Sequence, residues 1–212
     1  GTVTWSAPGD LLQVLFYSVF LATNATGAGR LRLHAGDIMV GTNTLQIPAN
    51  TQLLNFTHIV VFTASALGEQ SIPTAVGITD HAQKVSSLSF TDMDLDSSEL
   101  GGTVSWFPPT PLSAELTHYV VYLAENALGT GRVLVGPQPM GVSRGTNQIA
   151  VVADTAKAAF THVVVFTRSA LCEQTVPESL ALEDQSVSLG SVSFTDVDAD
   201  AAELGGTISW SI

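Results

Sequence analysis

The chain holds one cysteine, Cys172, in 212 residues. A lone thiol excludes an internal disulfide and leaves the redox compartment open. It also excludes an immunoglobulin-type sandwich pinned by a Cys–Cys pair, while disulfide-free sandwiches stay in play. Charge is scarce as well: 12% of residues are Asp, Glu, Lys or Arg, about half the usual quarter. Only seven are Lys or Arg against 19 Asp and Glu, for a formal net charge of −12. Such a chain repels a phosphate backbone and an anionic bilayer surface, so neither nucleic acid nor membrane is expected as a partner. Mean hydropathy is positive, yet no uninterrupted apolar run is long enough for a membrane span. Gly-x-Ser-x-Gly, phosphate-loop and dinucleotide signatures are all missing, so no catalytic residue is assigned and an enzyme is not expected. No secretion signal is seen; the chain opens in mid-pattern, and any targeting segment is expected outside it.

What is present is a series of short apolar runs, such as HIVVF, HYVVYL and HVVVF, punctuated by Gly, Pro, Asn and Asp. β-Branched runs bounded by turn residues read as many short strands. Gly pairs and Pro interrupt every window that a helix would need. Alternation places Val104 and Trp106 on one face with Thr103 and Ser105 on the other, and Val3/Trp5 and Ile208/Trp210 repeat the pattern. Tyr119, Val121 and Leu123 share a face, as do Val163, Val165 and Thr167.

The runs repeat. Gly41-Thr42-Asn43 recurs as Gly145-Thr146-Asn147, Phe56-Thr57-His58 as Phe160-Thr161-His162, and Phe90-Thr91-Asp92 as Phe194-Thr195-Asp196, each 104 positions on. Trp5, Trp106 and Trp210 fall 101 and 104 apart. Two periods take 205 residues, and the last seven, GTISWSI, restate the first seven, GTVTWSA. The reading that follows is a window on a longer tandem polypeptide.

GGTVSWFPP followed by THYVVYLAE resembles the second and third strands of fibronectin type III-like domains, and TLQIPANTQLLNFTHIVVFTAS is similar to their corner and sixth strand. The resemblance implies an all-β chain: two tandem antiparallel β-sandwich domains, Ig-like in class, plus the first strands of a third. Residues 1–82 form repeat 1, lacking its own first strand; 83–185 form repeat 2; 186–212 begin the next repeat and complete or continue into a neighbouring domain. It also implies core positions for Trp5, Trp106 and Trp210, with Phe56 and Phe160 replacing the tyrosine of the family's corner. The recurring FTDxDxDxxELGGTxxW phrase looks like tandem sandwich modules of very large algal or protist surface proteins.

That phrase carries the sharpest motif: Asp92, Asp94, Asp96 and Glu99, repeated as Asp196, Asp198, Asp200 and Glu203. Clustered carboxylates at turn spacing suit calcium, which takes six to eight oxygens in flexible geometry. Asp80 or Asp184, at the domain ends, would complete such a site. The competing reading is a solvated strand edge, with Asp outward and Met93, Leu95 or Val197 inward. The EF-hand's central Gly and bidentate Glu are missing, so the motif is no EF-hand. Two glycosylation sequons begin at Asn24 and Asn55; the other repeat has neither, so the fold does not demand them. Low surface charge is the independent reason to expect glycan. His58, His118 and His162 open equivalent strands in separate domains and cannot converge on one metal; His34 and His81 have no evident partner. Cys172 stands where the other repeat has Gly68, so the architecture requires no nucleophile there.

The expected role is a structural repeat of an extracellular or cell-surface filament or stalk. Its partners would be head-to-tail copies of itself, covalently tandem or strand-exchanged, and glycans; calcium is the candidate cofactor. An adhesin or carbohydrate-binding array is the alternative, with an accessory domain of a larger enzyme as a third.

Overall fold

The computed structural model describes residues 1–136 and 139–211. The chain is all-β, with several antiparallel sheets and, among the described residues, no closed barrel. It divides into two units, Gly1–Ala82 and Gln83–Ile212. Among the described residues no helix is long and apolar enough to cross a membrane.

Unit 1 contains β1 (Thr2–Thr4), β2 (Phe16–Ala22), β3 (Leu31–Arg32), β4 (Ile38–Met39), β5 (Thr44–Gln46), β6 (His58–Ala64) and β7 (Thr74–Gly77). One sheet runs β3-β2-β6-β7, with β4 also on β2, and the second is the pair β1-β5. Unit 2 contains β8 (Ser86–Ser89), β9 (Glu99–Phe107), β10 (Leu116–Ala124), β11 (Val133–Leu134), β12 (Val142–Ser143), β13 (Gln148–Ala156), β14 (His162–Ser169) and β15 (Glu178–Ala181). Its sheets are β11-β10-β14-β15, with β12 on β10, and β13-β9-β8. A further hairpin, β16 (Ser191–Phe194) and β17 (Ile208–Ser211), makes a two-stranded sheet of its own. In sequence it is a second copy of β8 and β9.

The two faces of the large sheet explain its apolar strands. On the inner face Tyr119, Val121 and Leu123 of β10 and Val163 and Val165 of β14 meet Leu100, Val104 and Trp106 of β9 and Val151 of β13. Each such buried side chain contributes roughly 1.5–3 kcal/mol. Trp106 meets Tyr119 edge-on, ring centroids 5.4 Å apart, and Trp5 meets Tyr17 in the same way at 5.5 Å. The outer face carries a smaller cluster of Tyr122, Ala124, Val164 and Phe166. The Arg132 guanidinium lies over it, 4.5 Å from the Tyr122 centroid and 4.4 Å from that of Phe166. Arg30 covers Phe20 and Phe62 in unit 1 likewise, at 4.5 Å from each. Strands buried on both faces read as continuous apolar runs rather than as alternation.

Of the expected core aromatics, Trp106 is buried, Trp5 is half-buried against Tyr17, and Phe160 packs on the unit 2 core. Phe56 is half-buried. Trp210, expected in the core of the next repeat, is 64% exposed here, because among the described residues no second sheet covers the apolar face of the β16–β17 hairpin.

Candidate metal centre

Beyond β8 the chain passes through Asp92, Asp94 and Asp96 before β9 begins at Glu99. Each aspartate folds the backbone onto itself. The Asp94 N–H donates to Asp92 Oδ1 at 3.1 Å, and the Asp96 N–H donates to Asp94 Oδ1 at 3.0 Å. Two successive Asx turns of this kind make a loop, not a strand. The solvated-edge reading is thereby inverted: Asp92 and Asp94 are buried at 6% and 9% exposure, while Met93 and Leu95 stand out at 75% and 58%.

Asp92 stands outside the group of carboxylates that converge. Its Oδ1 also accepts the Gly101 N–H at 2.9 Å, and its Oδ2 accepts the Gln185 N–H at 2.9 Å. Three backbone donors occupy that carboxylate, so it ties the loop to β9 and to the end of the sandwich. The double glycine of ELGGT follows from the same crowding. Gly101 supplies the amide, and a Cβ on Gly102 would lie 2.5 Å from the Thr91 carbonyl oxygen.

The carboxylates that converge are Asp94, Asp96, Glu99 and Asp154, each offering an oxygen within 4.8 Å of the others. Asp154 sits on β13, where the register with β9 shifts between Val151 and Thr155, and it holds φ at 61°. Asp and Asn tolerate this left-handed conformation better than most residues. Its N–H donates to Asp94 Oδ2 at 2.8 Å, which pins the bulge to the loop. Asn50, the same position of the repeat, has the same φ of 61°.

Asp184, expected as the completing ligand, has another task. Its Oδ2 accepts the Ser98 N–H at 3.0 Å and lies 3.8 Å from the Lys157 ammonium. It fixes the left-handed turn at Ser98 and stands outside the converging group, whose fourth member is Asp154. Asp80 is the equivalent residue of unit 1.

The site is electrostatically divided. The Asp154 and Asp96 N–H groups hold the Asp94 carboxyl below its ordinary range. Glu99 is pushed above its range, first by loss of water and then by the charges of Asp154, Asp94 and Asp96. A cation would relieve that crowding, and the oxygens retain lone pairs beyond those the amides use. Such carboxylates suit a hard divalent ion.

In the terminal hairpin the same loop recurs. Asp196 Oδ1 accepts the N–H groups of Asp198 and Gly205, both at 3.0 Å, and Asp198 Oδ1 accepts that of Asp200 at 2.9 Å. Those amides hold the Asp196 carboxyl below its ordinary range. Like Asp92, Asp196 is taken up by backbone. Asp198, Asp200 and Glu203 converge within 4.8 Å but are exposed, and the group has three members rather than four.

The other candidate residues lie apart. Asn24 and Asn55 are exposed. Asn24 Oδ1 accepts the Thr26 and Ala28 N–H groups, a turn-closing role that Asn126 repeats with Leu128 and Thr130, and these bonds use the amide oxygen rather than its nitrogen. His58, His118 and His162 each pair with the preceding threonine hydroxyl, at 2.8, 3.0 and 2.8 Å. His34 has a partner that the sequence did not reveal: its Nε2 accepts the Val19 N–H at 3.0 Å. Cys172 is half-buried in a turn. No protein-family model matches the chain, and no curated protein matches it in sequence.

Proposed function

We propose that the chain is a structural repeat unit of an extracellular filament or stalk, built from fibronectin type III-like sandwiches placed end to end, with acidic loops that hold calcium. The observation that carries this reading is the recurrence of one folded acidic loop, with the same Asx turns, at the same phase of the repeat. In unit 2 that loop binds three distant parts of the chain together at one end of the sandwich. Calcium fits the donor set: Asp94, Asp96, Glu99 and Asp154 supply only oxygens, from segments that can adjust to six or more ligands with water filling the remainder. The ion would bridge the start of β9 to β13. Glycans on Asn24 and Asn55 and contact with neighbouring copies account for a surface with so little charge.

Electron microscopy of native material tests the reading. A linear fibre whose axial repeat contains two sandwich units is expected, with glycan density at one or both sequons. Isolated two-unit particles with no longer assembly would overturn it. Calorimetric titration with calcium of the purified chain tests the cofactor, and heat unchanged by Asp154→Gly would remove the site.

A further inference from the structure

The two sandwiches are not equally complete. In unit 2, β8 pairs with the outer edge of β9, and the segment from Val85 to Leu100 closes the open side of the core. Val85 and Leu100 are exposed by 2% and 0%, and Leu88 and Phe90 pack beside them. Among the described residues of unit 1, nothing pairs with the outer edge of β1, the counterpart of β9. The place of the missing segment is a cleft of about 380 Å³ lined by Leu21, Ile47, Leu53, Ile59 and Ile78. Leu21 is itself buried, but Ile47 and Ile59 are half-buried where their unit 2 counterparts, Val151 and Val163, are buried at 5% and 0% exposure.

The terminal hairpin is the reverse case, a plug with no socket. It carries Leu189, Val192, Phe194 and Leu204, the counterparts of Val85, Leu88, Phe90 and Leu100. These four are exposed by 57%, 65%, 44% and 79%. Its loop is already in the conformation that its counterpart has when seated. Ala202 has φ 69° against 71° for Ser98, and the Val197 N–H donates to the Gly205 carbonyl as the Met93 N–H does to that of Gly101.

We infer that unit 1 is completed by a segment of the Leu189–Leu204 sequence from a neighbouring repeat, which takes the seat that Val85–Leu100 takes on unit 2. The inference rests on the end-to-end reading above and deepens it by naming the contact. Phe194 and Leu204 enter the cleft against Ile47, Ile59 and Ile78. The polar register follows from unit 2. Asp198 Oδ2 accepts the Asn50 N–H, as Asp94 accepts that of Asp154. Asp196 Oδ2 accepts the His81 N–H, as Asp92 accepts that of Gln185, and Asp80 accepts the Ala202 N–H, as Asp184 accepts that of Ser98. Asn50 then faces Asp198, Asp200 and Glu203 with an amide in place of a fourth carboxylate. Calcium therefore binds this junction more weakly than it binds the site of unit 2. Only one of β1 and β17 can lie beside β5 in the joined state.

The test uses a synthetic peptide spanning 186–205, which omits β17 and so avoids that competition. Added to the full chain, it is expected to bind with 1:1 stoichiometry, to protect the β1, β5 and Asn50 amides from hydrogen exchange, and to shorten any assemblies. A peptide carrying Phe194→Asp and Leu204→Asp is expected to bind at least tenfold more weakly. The same pair of substitutions in the full chain should abolish association, while unit 2 keeps its exchange protection as a control for folding. Fibres that persist with both substitutions, and a peptide that leaves unit 1 unprotected, would overturn the inference and leave the filament reading standing. A peptide that binds unit 1 when native material contains no fibre supports the seat and overturns the filament.

Discussion

The backbone N–H of Asp154 donates to Oδ2 of Asp94, 2.8 Å away across 60 residues of chain. This bond puts the fourth carboxylate beside the first, and it separates two tasks in one residue. The Asp154 amide holds the loop, and its side chain joins the converging carboxylates. Glycine at this position keeps the amide and adopts positive φ freely. Asp154→Gly is therefore expected to leave the sandwich folded but lower calcium affinity about tenfold or more. Thermal melts with and without calcium check this. A calcium-induced rise in Tm as large as that of the parent chain would contradict it.

Asp92 gives the opposite result. Its carboxylate accepts three N–H groups and takes no part in the converging cluster. Hydrogen bonds to charged acceptors contribute about 1.5–3 kcal/mol each, so Asp92→Ala is expected to cost unit 2 about 3 kcal/mol or more. Urea denaturation measures the loss, and saturating calcium should not restore it.

Gly102 is constrained by its neighbour. An added Cβ would meet the Thr91 carbonyl oxygen at 2.5 Å, with φ at 152°. Gly102→Ala is expected to destabilise unit 2 by about 2–3 kcal/mol, with hydrogen exchange increasing first in β8 and β9. Gly9→Ala is the control, because open space surrounds that position.

Unit 1 should weaken in mild acid. Burial, then the charge of Arg32, holds His34 below the ordinary imidazole value. The unfolded chain therefore takes up the proton first. The stabilising effect of neutral His34 is complete above about pH 6.5 and is lost progressively as pH falls below that value. It stops falling once the pH is under the folded-state value. Denaturation midpoints from about pH 8 to about pH 5 should show this slope, and His34→Gln should flatten it by offering an uncharged acceptor. Identical profiles for the two chains would remove the argument.

Arg132 ties together the outer face. It covers Tyr122 and Phe166 and donates to Glu173 Oε1 at 2.7 Å, while the Tyr122 hydroxyl donates to Oε2 of the same carboxylate at 2.9 Å. Arg132→Ala is expected to cost about 1–2 kcal/mol from lost ring contact, with the partly exposed ion pair adding little. Arg132→Lys should recover only part, because an ammonium cannot stack flat on two rings. Chemical denaturation of the three chains ranks them.

The strand faces were legible because period two is local. Tyr119, Val121 and Leu123 needed only their own alternation to be placed on one face, and the sandwich followed. The acidic loop was legible as a feature but not as a shape. Alternating Asp and apolar residues write the same pattern whether a strand edge is solvated or Asx turns reverse it, and here the turns bury Asp92 and Asp94 and expose Met93 and Leu95. Asp154 could not be found by spacing, since sheet pairing alone brings it to the loop. A weaker sign was present: Asn50 and Asp154, residue types that tolerate positive φ, share one position of the repeat. Trp210 differs from Trp106 in exposure for a related reason. Its sequence context matches Trp106, but burial depends on an opposing sheet that a hairpin does not carry with it.

The bonds from Asp92 to Gln185 and from Asp184 to Ser98 join the beginning of a sandwich to its end. A pull along the chain would reach unit 2 near Gln83 and Ser186, and these short crosslinks would bear tension before any sheet is sheared. The acidic loop is then the part that yields first under load, and calcium would set the force at which it does. A fibre made this way could stretch by opening one loop at a time and recover its length afterwards, with every core still folded.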